Sequence, residues 1–444
     1  MKTSNGFTQT QRLLMLGLGV TGRAVCDYAH RHAIHVSVSE QSDLTSDQRA
    51  WLELRGIAYE QGGHTSKLLS DTDLVILSPA IPVSHALVQE ACQRGLLVLS
   101  EIEYALGLLP DRRVIAVTGT NGKSSTVEVI GRLLKSQGQR AWVAGNIGVP
   151  LIELVDDVDR RDVLVLEISS YQLEQSLRLR PGIGVLLNLT PDHMKRHKDM
   201  QSYAQAKKKL FAHQELCDVA ILPTCLASQF DAGKGRRVFY DTLDDPFPDF
   251  SRWLYPHERS NLKAATAACE ALLPGFDRSL VCLEDILEAL RLPHRMEPVG
   301  TVHGVHVIND SKSTNAASTI AALHSVQAPT VLLLGGRFKG AGYDVLAAEL
   351  SVSNVREVIL FGEAADALRH VLEANASVDL QTSSVASLWE ALDRAMHIAV
   401  AGDVVLFSPA CSSFDAFSDY AQRGVRFMEH VRSMPGFEQD STRT

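Results

Sequence analysis

Short aliphatic and β-branched runs alternate with amphipathic stretches along almost the whole chain. Leu13–Leu16, Val36–Ser39, Leu74–Ser78 and Leu97–Ser100 read as buried strands with helical patterns between them, which predicts a parallel sheet with crossover helices. A second pattern of this kind starts at Val114–Thr118 and continues through Val163–Ile168, Ile183–Leu187 and Val219–Pro223. Between Cys225 and Pro256 the periodicity weakens into a polar stretch, DTLDDPFPDFS, which predicts loop or short irregular strands. Helical spacing returns near Asn261–Leu273. After Leu292-Pro293 a third α/β unit is expected, with strands at Val305–Asn309, Val331–Gly335, Glu357–Phe361 and Val404–Ser408.

The chain has 444 residues, and at roughly 100–200 residues per domain about three domains are expected. The pattern places them at 1–102, 103–293 and 294–444. The fold class is α/β: a Rossmann-like N-terminal domain, a central P-loop ATPase-like domain with a parallel sheet, and a Rossmann-like C-terminal domain.

Composition narrows the function classes. Hydrophobic residues are 45% and charged residues 21%, as in an ordinary globular protein. The net charge is −9 with dispersed basic residues, which argues against a nucleic-acid footprint. The N-terminal MKTSNGFTQTQ lacks an apolar core of signal-peptide length, and no run approaches the ~20 apolar residues of a membrane span. The seven cysteines are scattered without a CxxC pair, which fits a reducing compartment. A cytoplasmic protein without a membrane partner is expected.

Two glycine-rich turns carry the first chemical signals. GLGVTG, from Gly17 to Gly22, follows a strand and opens a helical pattern, the arrangement that brings backbone close to a phosphate; Glu40 ends the next strand, where a carboxylate can accept a ribose hydroxyl. Taken alone it favours a dinucleotide, with another nucleotide or a structural turn as the alternatives. Gly119-Thr120-Asn121-Gly122-Lys123-Ser124-Ser125 is sharper: backbone N–H groups there would wrap oxyanions, Lys123 would neutralise phosphate charge, and Ser124 could hold Mg²⁺. The spacing is not the standard Walker one, because Val117 stands six before Lys123.

Other candidates gain weight from this loop. Glu167 closes the strand VLVLE, where a carboxylate either coordinates metal or is merely solvated. Asp192-His193 follows another strand end. Lys207 lies four after Tyr203 and four before Phe211, so it falls in the apolar stripe of its helix while Lys208 and Lys209 turn away; a snorkelling stem is the bland alternative. In the last unit, Asn309 to Asn315, the loop with Lys339, and Cys411 to Tyr420 leave the carboxyl ends of strands, where open α/β sheets bind ligands.

The motifs TGTNGKSS, AGNIG, LEISSYQLE, LTPDHM, LPHRME, INDSKSTN, LLLGGRFKG and SPACSSFDAFSDYAQRG resemble, in order, those of the Mur ligases over nearly the whole chain. The resemblance implies a ligase that adds D-glutamate to UDP-N-acetylmuramoyl-L-alanine, with ATP phosphorylating the acceptor carboxylate before the amine attacks; a monomer is expected. It implies two Mg²⁺ sites served by Ser124, Glu167, His193 and a carbamylated Lys207. It further puts Asn261, Arg295, Asp310 and Lys312 on ATP, and Gly17, Val20, Thr21, Glu40, Asn146, Ser169 and Gln172 on the UDP substrate. Thr314, Lys339, Ser413, Phe414 and Tyr420 fall around the incoming amino acid. Two positions depart from the family: Glu258 stands where an adenine-contacting Asn is usual, and Ser42 where an Arg is frequent. The rival readings are a sister ligase for another amino acid, an NAD-dependent oxidoreductase built on GLGVTG, and a non-catalytic nucleotide switch.

Overall fold

The computed structural model describes residues 11–109, 111–231, 233–340, 342–375 and 380–439; the first ten residues of the N-terminal stretch discussed above lie outside them. Three sheets follow one another along the chain. The first holds β1 (Leu13–Leu16), β2 (Val36–Ser39), β3 (Ala58–Glu60), β4 (Leu74–Leu77) and β5 (Leu97–Ser100), all parallel, in the order β3-β2-β1-β4-β5. The order reverses between β1 and β4, so the glycine turn after β1 lies at a topological switch point. Gly17 has φ +88°, and a Cβ there would meet Ser78 Cβ, just past β4, at 2.8 Å. The close packing of this crossing therefore demands glycine.

The second sheet holds β6 (Arg113–Thr118), β7 (Ala141–Gly145), β8 (Val163–Glu167), β9 (Ile183–Leu186), β10 (Val219–Leu222) and β11 (Arg236–Phe239), again all parallel, in the order β11-β10-β9-β6-β8-β7. β6 lies between β8 and β9. The loop leaving it is consequently flanked by Glu167, which pairs with Val117 across the ladder, and by Asn188, two residues past β9. The third sheet is mixed. It comprises β12 (Glu297–Val302), β13 (Val305–Asn309), β14 (Thr330–Gly335), β15 (Val355–Phe361), β16 (Gln381–Ser384), β17 (Val404–Ala410) and β18 (Phe437–Glu438). Its order is β16-β15-β14-β17-β13-β12-β18, with β12 antiparallel to both neighbours. Because β17 sits between β14 and β13, the loops leaving these three strands are neighbours.

The chain divides into two compact units. The described residues up to Asn188, with Gln201–Pro248 and Ser260–Leu283, form one and contain the first two sheets; Leu189–Met200, Asp249–Arg259 and the residues from Glu284 onward form the other. Every strand expected from the sequence is present, with ends that differ by one or two residues. Of the strands not named from the sequence, β11 falls in the stretch read as loop or short irregular strands, and β3, β7, β12, β16 and β18 lie at or beside sheet edges, where partly exposed residues blur the apolar run. No helix among the described residues is long and apolar enough to cross a membrane.

Candidate functional site

The phosphate loop is shaped by residues distant from it in sequence. Gly122 caps the helix Lys123–Ser136 with φ +86°, and a Cβ on it would meet Asn261 Oδ1 at 2.5 Å, so this left-handed, crowded position requires glycine. Asn188 Oδ1 accepts from Thr120 N (3.1 Å) and Asn121 N (2.9 Å), while its own Nδ2 donates to Asn121 O (3.0 Å). Asn188 was not singled out from the sequence; its place just past β9 is the signal that could have found it. Lys123 Nζ folds back onto Gly119 O (2.9 Å) and Thr120 O (2.8 Å), where it covers the loop that a phosphate would occupy. Ser124 and Ser125 are buried in the first helical turn, and Ser125 Oγ has no hydrogen-bond partner. A helix start whose free N–H groups follow directly on such a loop suits an anion.

Glu167 meets the test of a cation ligand. It is 2% exposed; Oε1 accepts from Asn146 Nδ2 at 2.7 Å, whereas Oε2 has no hydrogen-bond partner. A buried carboxylate oxygen left unmatched is costly unless a cation completes it. Among the described residues no group of three or more His, Cys, Asp or Glu side chains forms a metal cage. One carboxylate beside a phosphate loop is the donor set with which Mg²⁺ is held, since phosphate and water complete its shell.

Lys207 is 1% exposed in the helix Met200–Lys208, as its place in the apolar stripe requires. Its Nζ donates to Gly119 O (2.9 Å) and Thr118 Oγ1 (3.3 Å) and lies 4.7 Å from the Tyr203 ring centroid. It thus reaches the base of the phosphate loop instead of snorkelling to solvent. Lys208 turns to Asp231, and Lys209 is half-buried against the carbonyls of Glu174 and Ser176, where burial lowers its pKa.

Around the first sheet, Glu40 Oε2 accepts from Leu18 N in the glycine turn (2.7 Å) and Oε1 from Ser42 N (3.1 Å). Val20 is exposed and Thr21 half-buried at the start of the following helix. Ser169 and Gln172 form a capping box on the short helix Ser170–Gln175, with Gln172 N donating to Ser169 Oγ at 3.3 Å, so a structural task already engages both. Glu258 likewise accepts from Tyr255 N (2.9 Å) in the first turn of the helix Pro256–Leu272.

The second unit gathers Thr314, Lys339 and Asp192. Lys339 Nζ donates to Asp192 Oδ1 (3.1 Å) and to Thr314 Oγ1 (3.3 Å), and Asn315 Nδ2 donates to Asp192 Oδ2 (3.0 Å). Burial pushes the Asp192 carboxyl up, but Lys339, His193 and Asn315 outweigh it and hold it below the usual carboxylate range. His193, at φ +59°, donates its backbone N–H to Asp192 Oδ1 and keeps its ring half-exposed, 3.7 Å from Oδ2. Asp192, noted in the sequence only as a loop residue beside His193, is the hub here, because Lys339 and Asn315 reach it from more than a hundred positions away. Ser413 is buried, Phe414 exposed, and Tyr420 half-buried with Lys312 Nζ 5.5 Å from its ring centroid. Asp310 is fully enclosed by Ser408 Oγ (2.7 Å), Ser313 and Met296 N (3.2 Å); burial lifts its carboxyl to about 6. That enclosure fixes the loop after β13. Arg295 is half-buried and lines a cavity of about 700 Å³ with Tyr255, Glu258, Arg291 and Arg432.

A parallel sheet that delivers a lysine-bearing phosphate loop beside an unmatched carboxylate defines a protein that handles nucleotide phosphates. Family models carry this further: one described as the Mur ligase middle domain matches residues 117–232, the Mur ligase glutamate ligase domain matches 294–411, and the MurD-like N-terminal domain matches 11–100. The chain belongs to the Mur ligase family. It is 39% identical over 440 residues to the UDP-N-acetylmuramoylalanine--D-glutamate ligase of Desulfotalea psychrophila, covering 94% of this chain and 95% of that one. The ligase of the same name from Alkaliphilus metalliredigens is 35% identical, with 96% and 99% covered. Among solved structures, a MurF ligase from Thermotoga maritima in complex with ADP shares the fold at TM-score 0.58 and 15% identity, covering 95% of this chain and 97% of that one. The UDP-N-acetylmuramate-alanine ligase MurC from the same organism does so at 0.56 and 18%, with 95% and 99% covered.

Proposed function

We propose that this chain catalyses the ATP-dependent addition of D-glutamate to UDP-N-acetylmuramoyl-L-alanine in peptidoglycan precursor synthesis, releasing ADP and phosphate. The observation that carries the reading is the unmatched Glu167 oxygen beside the Lys123 loop, in a chain 39% identical to a ligase of that name over 94% of its length. The acceptor's alanine carboxylate attacks the γ-phosphorus of ATP and ADP leaves. The glutamate nitrogen then attacks the acyl carbon, phosphate departs and the amine gives up a proton. Lys123 neutralises the charge that develops on the transferring group, and the backbone of Gly119–Ser125 orients it. Mg²⁺, when bound, supplies further neutralisation of phosphate charge.

Ser124 and Glu167 are the ligands we assign to one Mg²⁺ site. Carbamylated Lys207 is assigned to a second: converting its ammonium to a carbamate turns a buried cation into an oxygen donor at the base of the loop. His193 takes its metal role from the family resemblance alone, as do the ATP contacts of Asn261, Arg295, Asp310 and Lys312 and the UDP-substrate contacts of Asn146, Ser169 and Gln172. We place the domains at 1–102, 103–293 and 294–444, and assign the amino acid to Lys339, Thr314, Ser413, Phe414 and Tyr420 on the last. A cytoplasmic monomer completes the reading. The test is phosphate release with UDP-N-acetylmuramoyl-L-alanine present and one amino acid varied at a time. Release that depends on D-glutamate is expected; equal or greater release with L-alanine, L-glutamate or D-aspartate would replace this reading with that of a sister ligase.

A further inference from the structure

A polar cluster at the carboxyl ends of β2 and β3 has no role in the chemistry described so far. Ser39 Oγ lies 2.6 Å from Glu60 Oε1 and 2.6 Å from His64 Nδ1. Glu60 also accepts from Thr65 N (2.9 Å) and Thr65 Oγ1 (2.6 Å). Burial pushes the Glu60 carboxyl up, but the hydrogen bonds from Ser39 and Thr65 outweigh it and hold the group below its ordinary value, so it is ionised and only accepts. The single hydroxyl proton of Ser39 therefore points to Glu60. His64 Nδ1 must then donate to Ser39 Oγ, which leaves its Nε2 a bare acceptor. Burial, followed by His85, lowers the His64 pKa and keeps the ring neutral at pH 7.

His85 has the opposite tautomer. Its Nδ1 accepts from Leu87 N (3.2 Å) at the start of the helix Ala86–Gln93, which puts its proton on Nε2. The two half-buried rings meet edge to face at 5.1 Å, and neither Nε2 is hydrogen-bonded to a described residue. One acceptor and one donor thus belong to rings whose centroids lie 5.1 Å apart. They adjoin the glycine turn through a continuous backbone: Gly17 N donates to Ser39 O (2.8 Å), Leu18 N to Glu40 Oε2 (2.7 Å) and Gly63 N to Glu40 O (3.3 Å). In an open α/β sheet a diphosphate sits over such a turn, and the rest of the nucleotide runs over the ends of the following strands.

We propose that His64 and His85 read the imide edge of uracil, His64 Nε2 accepting from N3–H and His85 Nε2–H donating to the neighbouring carbonyl oxygen. Cytosine presents the reverse pattern, a bare N3 beside an amino group, and so sets acceptor against acceptor at His64 and donor against donor at His85. The inference rests on the reading of the first sheet as the site of the UDP substrate. It names the groups that make this site selective for the base.

The experiment is calorimetric titration of the full chain with UDP, 3-methyl-UDP and CDP, the phosphate loop saturated with a non-hydrolysable ATP analogue. UDP should bind about tenfold or more tightly than either competitor, the value of one matched hydrogen bond. His64→Ala should bring UDP down to the level of 3-methyl-UDP and CDP, and His64→Gln, which returns an acceptor oxygen, should restore part of the gap. A wild-type chain that binds UDP and 3-methyl-UDP equally, or a His64→Ala variant that still separates them, would overturn the inference. A wild-type chain that binds no UDP would overturn the parent reading of the first sheet instead.

Discussion

The phosphate loop after β6 and the loops after β13, β14 and β17 are both sites at the carboxyl ends of strands, yet they are built in contrasting ways. In the first, seven consecutive residues, Gly119 to Ser125, form the cradle, and Asn188, Asn261 and Lys207 shape it from outside. In the second no short segment suffices: Asp192, Thr314, Asn315 and Lys339 come from three separate stretches and hold together through one buried carboxylate. A compact loop carries its own geometry in its backbone. A dispersed site depends on charge, and so should respond to pH and to substitution of a single hub.

The largest expected effect tests the cradle. Lys123→Ala should lower turnover by at least about 10³-fold with the fold intact, because the ammonium acts where charge develops in the transition state; near-normal ligation would remove the phosphate-loop assignment. Next comes Lys207→Ala, expected to lose about 10²-fold or more in activity for want of an oxygen donor. Acetate or formate should restore part of that loss, while Lys207→Arg should stay inactive. An Arg variant as active as wild type would mean the buried amine needs only its charge.

Lys339→Ala addresses the dispersed site. Loss of a charge-assisted contact should raise the D-glutamate KM about 10- to 150-fold, with ATP and UDP-substrate KM values nearly unchanged. An unchanged glutamate KM would move the amino-acid site elsewhere.

The smallest effect concerns two buried carboxylates that titrate in opposite directions, one in each unit. Glu101 accepts from Ile152 N (2.7 Å), and burial lifts its carboxyl to about 7. A folded pKa above the unfolded one gives stability that is present at low pH and lost as pH rises through about 7. Glu101→Gln should therefore stabilise the chain by on the order of 2 kcal/mol at pH 8 and hardly at all at pH 4. Asp192 has the opposite sign: its carboxyl is depressed, so the stability of its pair with Lys339 persists above the ordinary carboxylate range and is lost only in acid. Thermal melts of Glu101→Gln and Asp192→Asn across pH would show both slopes; parallel slopes would contradict the contrast.

How far each region could be read from sequence follows the same division. Strand–loop–helix spacing around Lys123 and the helical phase of Lys207 are local signals, and the burial of Lys207 follows from three-to-four residue periodicity alone. Asn188 and Asp192 were overlooked as partners because their contacts cross the sheet or join distant loops, which no local pattern encodes. Edge strands such as β7 escaped because partial exposure removes the apolar run, although β7 delivers Asn146 to Glu167. Local capping also competes with ligand contact at Ser169, Gln172 and Glu258, and sequence cannot say which role a side chain is free to take.

The division of labour between the two regions can be measured directly by trapping the acyl phosphate with hydroxylamine, using ATP and UDP-N-acetylmuramoyl-L-alanine but no amino acid. The wild-type chain and Lys339→Ala should yield the hydroxamate at comparable rates, since phosphoryl transfer needs only the cradle, while Lys123→Ala should yield none. Loss of trapping in Lys339→Ala, or its survival in Lys123→Ala, would contradict the assignment of phosphoryl transfer to the loop after β6 and of amino-acid capture to the loops of the third sheet.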